Sequence, residues 1–285
     1  MFYQNIQSYI KQNKIPIIII ICLIFNIIII LWYMSGLNTP DVHFKKIKPL
    51  VNYNKEIKMP KAKKVVIKNI NPSIISDKTI YLTFDDGPSY LTEKVLDILK
   101  EENVPATFFV ISSQIDKYSD IVKRMREENH TVALHSNTHN YSYIYSSDVN
   151  YFNDLEAIRT KVYNIIGTKP RIIRLPGGSS NTVSKKYNQG IITRITNKLT
   201  ENDFYYFDWN IDSEDASGKL SKECIFQNVV NKIHSGTNIV LMHDAATKTT
   251  TVEALKDIID YAKANGYTFS KITKNTPAIH HHINN

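Results

Sequence analysis

The sequence predicts an α/β fold, a (β/α) barrel of about seven parallel strands, preceded by a single transmembrane helix. Three observations carry this. From residue 79 onward, short runs rich in β-branched and aromatic residues alternate with helical patterns, which implies βαβ units and a parallel sheet. About seven such repeats fall within about 200 residues, slightly short of the usual eight-fold barrel. Residues 15–34, IPIIIIICLIFNIIIILWYM, carry no charge, and about 20 such residues cross a bilayer as a helix. An open doubly wound sheet is the alternative, but no G-x-G-x-x-G follows the first strand, so dinucleotide binding has no support.

The elements follow in order. Thr79-Ile80-Tyr81-Leu82-Thr83-Phe84 reads as the first strand, stopped by Gly87-Pro88. Further strands are expected at 106–111, 131–134, 171–174, 204–207, 238–242 and 267–270. Val95, Leu96, Ile98 and Leu99 recur at helical spacing within 92–102, and helices are also expected at 121–128, 148–166, 183–199, 222–233 and 252–264. Asn265-Gly266 closes the last of these as a C-cap.

Five regions result: a cytoplasmic N-terminus at 1–14, the anchor at 15–34, a basic spacer at 35–76, a catalytic domain at 77–272 and a C-terminal tail at 273–285. Trp32 and Tyr33 sit at one end of the apolar run, where aromatic anchors belong, and Lys11 and Lys14 precede it. That charge pattern puts the N-terminus inside and the body of the chain outside the cell membrane. A cleaved signal peptide is the alternative. The run is longer than a typical h-region, and Ser35-Gly36-Leu37 offers no A-x-A-like cleavage site. The spacer holds Pro40, Pro49, Pro60 and Pro72 among lysines and asparagines and is expected to be partly extended.

Composition narrows the function. The 285 residues are 42% hydrophobic and 22% charged, as in a folded protein. A net charge of +8 suggests an anionic neighbour such as lipid headgroups or an acidic cell wall. Much of the excess lies in the Lys-rich stretch 45–68, and no RNA-binding signature is present, so no nucleic-acid partner is expected. Cys22 and Cys224 make no disulfide framework.

Chemistry-bearing residues fall where the predicted strands end. Asp85 and Asp86 are adjacent, after an apolar strand and before Gly87-Pro88, and two such carboxylates repel unless a cation offsets them. An acidic turn or helix N-cap is the plainer reading. His135-Ser136-Asn137-Thr138-His139 offers two imidazoles. With one carboxylate they form a three-ligand set of the catalytic zinc type. Imidazole with carboxylate suits Zn²⁺, with Co²⁺, Ni²⁺ or Mn²⁺ as other divalent candidates. Arg174-Leu175-Pro176-Gly177-Gly178-Ser179 ends a strand with a cation and a glycine turn. Asp208-Trp209-Asn210-Ile211-Asp212-Ser213-Glu214-Asp215 reads as an acidic loop. Ile239-Val240-Leu241-Met242-His243-Asp244 ends a strand in a histidine, a candidate general acid. His280-His281-His282, beyond the expected domain, is assigned no role.

The ordered set TFDDG, H-S-x-x-H, R-x-P-G-G, W-N-x-D-S and L-M-H-D, over residues 77–272, resembles the polysaccharide deacetylases of carbohydrate esterase family 4, the NodB-homology enzymes. With its anchor and spacer, the chain looks like the membrane-bound peptidoglycan N-acetylglucosamine deacetylases of that family. The resemblance implies a distorted (β/α) barrel and a divalent metal. It implies Asp85 as general base, tuned by Arg174, and His243 as general acid, paired with Asp212. Asp86, His135 and His139 would be the metal ligands. Leu241 and Met242 would line the pocket for the acetyl methyl, and the N–H of Gly177 would meet the oxyanion. Two departures bear on substrate shape. Gly177 stands where the family often has an aromatic, and Asp215-Ala216 where it often has Asp-Trp; Trp209 is expected to supply part of the missing wall. The implied reaction is removal of N-acetyl groups from cell-wall glycan. Chitooligosaccharide, N-acetylmuramic acid or O-acetyl xylan are alternative substrates, and a catalytically silent glycan-binding membrane protein is the alternative from another class.

Overall fold

Strand β1 (Lys78–Asp85) organises everything around it. The computed structural model of the chain describes residues 78–285. The predicted anchor at 15–34 and spacer at 35–76 lie outside the described residues. No helix among the described residues is long and apolar enough to cross a membrane.

After β1 come α1 (Tyr90–Glu101), β2 (Thr107–Ile111), α2 (Ser112–Ile115), α3 (Ser119–Glu127) and β3 (Thr131–Ser136). They are followed by α4 (Tyr141–Ile144), α5 (Asp148–Ile166), β4 (Ile172–Ile173), a 3₁₀ turn (Val183–Lys186), α6 (Ile191–Glu201) and β5 (Tyr205–Tyr206). The series ends with β6 (Ile211–Asp212), α7 (Lys222–Val230), β7 (Gly236–His243), α8 (Thr249–Ala264) and β8 (Thr268–Phe269). Seven strands run parallel in the order β5-β4-β3-β2-β1-β7-β6, and β8 pairs with the start of β1. The result is a curled half-barrel. Its two edge strands, β5 and β6, are consecutive in sequence but form no ladder with each other.

The period-two alternation of β1 sorts its residues between two environments. Ile80, Leu82 and Phe84 enter the large core beneath the helices, where Phe84 stacks on Phe108 at 5.2 Å. Burying one such side chain contributes about 1.5–3 kcal/mol. Tyr81 faces the opposite way and joins Phe109, Ala133, Phe207, Ile239 and Ile272 in a smaller inner cluster. The polar residues of the site stack above that inner cluster.

Local signals explain the helix ends. Ser89 caps α1, accepting from the Leu91 N–H at 3.0 Å, while Thr92 Oγ1 accepts the Ser89 N–H at 2.7 Å in a capping box. Ser147 caps α5, and Gly167, left-handed at φ 71°, ends it. The predicted helix over 183–199 is instead a 3₁₀ turn and then α6, broken where Gly190 takes φ 75°. The tail beyond 272 packs on the domain. Asp208 N donates to the Ile279 carbonyl at 2.9 Å, and His280 stacks on Tyr206 at 3.8 Å.

Candidate active site

The C-terminal ends of β1, β3 and β7 converge at one rim. Asp85 stands opposite His243 in the β1–β7 register, so both carry their side chains on the inner face. Arg174, just past β4, is fully buried beneath them. Its Nη1 donates to Asp85 Oδ1 at 2.8 Å and to Thr83 Oγ1 at 2.7 Å, Nε to the Phe207 carbonyl at 3.0 Å, and Nη2 to the Asp208 carbonyl at 3.1 Å. Its guanidinium carbon lies 4.2 Å from the centre of the Phe109 ring and 5.5 Å from that of Trp209. Charge-assisted bonds to a planar fork fix direction as well as charge. Removing either member of this ion pair would strand a buried charge, at a cost of about 3–5 kcal/mol. Asp85 Oδ2 stays clear of the arginine and lies 4.0 Å from His135 Nε2.

Asp86 has φ 70° and His139 φ 50°, left-handed values that non-glycine residues seldom adopt. These bends gather Asp86, His135 and His139, whose ligand-type atoms lie within 4.8 Å of one another. Asp86 Oδ1 is 3.6 Å from His135 Nε2 and 3.4 Å from His139 Nε2. Yet that buried oxygen has no hydrogen-bond partner. An orphaned buried carboxylate oxygen facing two imidazole nitrogens is costly unless a cation lies among them, so the donor set fits a metal. His135 Nδ1 donates to the Arg174 carbonyl at 2.7 Å, which leaves Nε2 as the lone-pair nitrogen toward the cluster. Burial, with the neighbouring His135 adding, lowers the pKa of His139 against the opposing pull of Asp86 and Asp85, which favours the neutral ligand form.

Sequence reasoning passed over the clamp that shapes this loop. Asp154 of α5 is buried and accepts four bonds: Ser136 Oγ at 2.7 Å, Asn137 N at 2.7 Å, Thr138 N at 2.9 Å and Thr138 Oγ1 at 2.7 Å. Its signal in the sequence is an acid at helical spacing among the apolar Tyr151, Leu155 and Ile158. Gly87 is also set by contact, since a Cβ there would collide with the Asp244 carboxylate.

Two expectations need correction. The partner of His243 is Asp215, not Asp212. Asp215 Oδ1 meets His243 Nδ1 at 2.7 Å, and Asp215 Oδ2 accepts the His243 N–H at 2.8 Å and Thr251 Oγ1 at 2.9 Å. Asp212 is spent locally, accepting the Glu214 N–H at 2.7 Å. Glu214, left-handed at φ 61°, turns the chain so that Asp215, the last carboxylate of the run, enters the site. Burial alone pulls the His243 imidazole down, but the hydrogen bond and charge of Asp215, with Asp85 and Asp86 adding, carry its pKa up to about 9. The second correction concerns Met242. It pairs with Phe84 in register and lies with it in the helix-side core, because successive strand residues face opposite ways. Leu241, paired with Thr83, shares the inner face with Asp85 and His243.

Trp209 lies partly buried against the inner cluster, and its ring tip is 3.0 Å from where a Cβ of Gly178 would be. Gly177 is exposed at φ 78°. Beside it stands Tyr141, whose phenol is pushed up to about 12, chiefly by burial and then by the charges of Asp86 and Asp85. A cavity of about 460 Å³ opens from Asp86 and His139 and is lined also by Tyr90, Gln114, Lys117 and Tyr118.

The chain that builds this rim has known relatives. The sequence pattern of the polysaccharide deacetylase family matches residues 74–191. A putative polysaccharide deacetylase, YheN of Bacillus subtilis, is 30% identical over 94% of both chains. The chain belongs to the polysaccharide deacetylase family. A peptidoglycan-N-acetylglucosamine deacetylase of Bacillus cereus is 31% identical over 91% of this chain and 92% of its own. The crystal structure of the catalytic domain of peptidoglycan N-acetylglucosamine deacetylase from Eubacterium rectale superposes with a TM-score of 0.70 at 44% identity, covering 73% of this chain and 94% of that one. This polysaccharide deacetylase is therefore a hydrolase of the carbohydrate esterase family 4 type.

Proposed function

We infer that this deacetylase removes N-acetyl groups from peptidoglycan, with N-acetylglucosamine as the sugar acted on. The observation that carries the reading is the pairing, at one rim, of a carboxylate held by Arg174 and an imidazole held by Asp215, beside an orphaned carboxylate oxygen and two further imidazoles. Amide hydrolysis needs one group to take a proton and another to give one.

Asp86, His135 and His139 would hold a divalent ion, Zn²⁺ by their donor chemistry. When bound, that ion supplies Lewis-acid polarisation of the acetamide and a lowered pKa for water. The residues of the chain do the rest. Arg174 fixes Oδ1 of Asp85, so Oδ2 is the atom that takes a proton from water as its oxygen bonds to the acetyl carbon. The exposed N–H of Gly177 meets the oxygen that gains charge. His243 holds its Nδ1 proton on Asp215 and delivers the Nε2 proton to the sugar nitrogen as the carbon–nitrogen bond breaks, releasing acetate and a free amine.

The apolar segment at 15–34 and Lys11 and Lys14 before it support tethering at the membrane with the domain facing the wall, and the net charge of +8 suits an anionic polymer. Mass spectrometry of wall fragments treated with metal-loaded protein tests the reading. Loss of acetyl from N-acetylglucosamine is expected. Loss from N-acetylmuramic acid instead would change the substrate, and release of no acetate from any wall polymer or chitooligosaccharide would overturn the enzyme.

A further inference from the structure

We propose that the Tyr141 hydroxyl is a second hydrogen-bond donor to the reacting acetyl oxygen, acting beside the Gly177 N–H. The role rests on the deacetylase reading above and deepens it. Its basis is the orientation of one peptide plane. The Pro176 carbonyl accepts from Tyr145 Oη at 2.6 Å and from Asn181 Nδ2 at 3.0 Å, both buried residues. In a trans peptide the following N–H points the opposite way, so the Gly177 N–H is turned from the interior toward the exposed rim. It makes no hydrogen bond there.

Tyr141 stands directly alongside. A Cβ built on Gly177 would lie 2.8 Å from the Tyr141 hydroxyl oxygen and 2.6 Å from Asn181 Nδ2. The space a side chain at 177 would enter is thus already taken by the phenol, and φ 78° disfavours any such side chain. The glycine after Pro176 and the tyrosine two residues after His139 are one arrangement, in which the aromatic arrives from α4 rather than from the 174–179 turn. The ring is held between His139, at 5.6 Å between centres, and Tyr145, at 5.5 Å. Asn140 caps the short helix that carries it, accepting the Ser142 N–H at 3.0 Å. The hydroxyl itself has no partner among the described residues. Two unpartnered donors, one peptide N–H and one phenol O–H, therefore stand together beside His139 of the trio. Donors preorganised where charge develops, rather than where it already exists, raise kcat without tightening substrate.

Tyr141→Phe removes the O–H and keeps the ring. Wild type and variant are compared for acetate release from an N-acetylglucosamine oligomer, for metal content, and for affinity toward the same oligomer bearing a methylphosphonamidate in place of the acetamide. That group mimics the tetrahedral oxyanion. The expected result is a kcat lower by about 10²-fold, KM within about twofold, unchanged metal content, and a loss of phosphonamidate affinity of about the same 10²-fold. An unchanged kcat overturns the role of Tyr141, and so does a fall in kcat with phosphonamidate affinity intact. Wild-type protein that releases no acetate fails the deacetylase reading itself, a result read before the variant is compared.

Discussion

Asp85 and Asp86 are neighbours in sequence and opposites in setting. Asp85 is the last residue of β1, extended, turned inward and held by Arg174 at 2.8 Å. Asp86 follows the strand. Were the strand to continue, its side chain would point outward, toward the helix-side layer that takes Phe84 and Met242. The left-handed bend at φ 70° returns it to the rim, where its buried Oδ1 meets two imidazoles and no proton donor. One carboxylate is satisfied by the protein, and the other keeps a buried oxygen without a partner. The strain of the bend is the cost of bringing both acids from one strand end to one rim.

The largest expected effect breaks this pair apart. Asp86→Ala is expected to lose metal and turnover together. Asp85→Asn is expected to retain metal and lose about 10²–10⁴-fold in kcat, the usual worth of a positioned base. Metal analysis beside acetate release separates the two. Equal metal loss in both variants would refute the division.

The acid side of the rim gives the next effect. As the proposed general acid, His243 would act only while protonated, so activity that depends on it is expected below its pKa and to fall as pH rises through about 9. Asp215→Asn removes the partner charge and is expected to move that alkaline limb down by about 1–3 pH units. Asp212→Asn is expected to leave the limb in place, because the Asp212 carboxylate accepts from Glu214 N within its own turn and makes no bond to His243. A pH–rate profile in which the Asp212 variant shifts and the Asp215 variant does not would restore the original pairing.

What the sequence made legible follows from how local each signal is. The β1 strand and its acidic stop were readable because six apolar and β-branched residues precede the Gly-Pro turn. Asp86, His135 and His139 fell at predicted strand ends, where α/β folds put their chemistry, and the structure brings them within 4.8 Å of one another. The pairing of Asp215 with His243 was not readable, because three acids, Asp212, Glu214 and Asp215, lie within four residues and a single left-handed Glu214 decides which one turns inward. Strand β6 is two residues long and carries no periodic pattern. The histidine tail, 280–282, has no local signal either. Its order comes from distant partners, with His281 N bonded to Asp208 Oδ2 at 2.8 Å and His281 Nε2 to the Trp209 carbonyl at 2.6 Å. Asp208 in turn holds Ser179 through its N–H at 2.8 Å and its hydroxyl, so the tail steadies the glycine turn from behind.

The smallest effect sharpens the inner and outer faces of β7. Leu241 and Met242 were both expected near the acetyl methyl, yet only Leu241 lies on the face of Asp85 and His243. Met242→Leu nearly conserves volume inside the helix-side core, so it is expected to cost less than about 1.5 kcal/mol and to leave turnover and acyl preference unchanged. Leu241→Ala instead enlarges the inner wall by several methyl equivalents. One methylene in an apolar pocket is worth about 1–3 kcal/mol, so the ratio of kcat/KM for N-propionyl over N-acetyl substrate is expected to rise by about tenfold or more. Competing acyl substrates in one assay read that ratio directly. If Met242→Leu moved it and Leu241→Ala did not, the two faces of the strand would have been assigned the wrong way round, and the inward placement of Asp85, which rests on the same register, would fall with them.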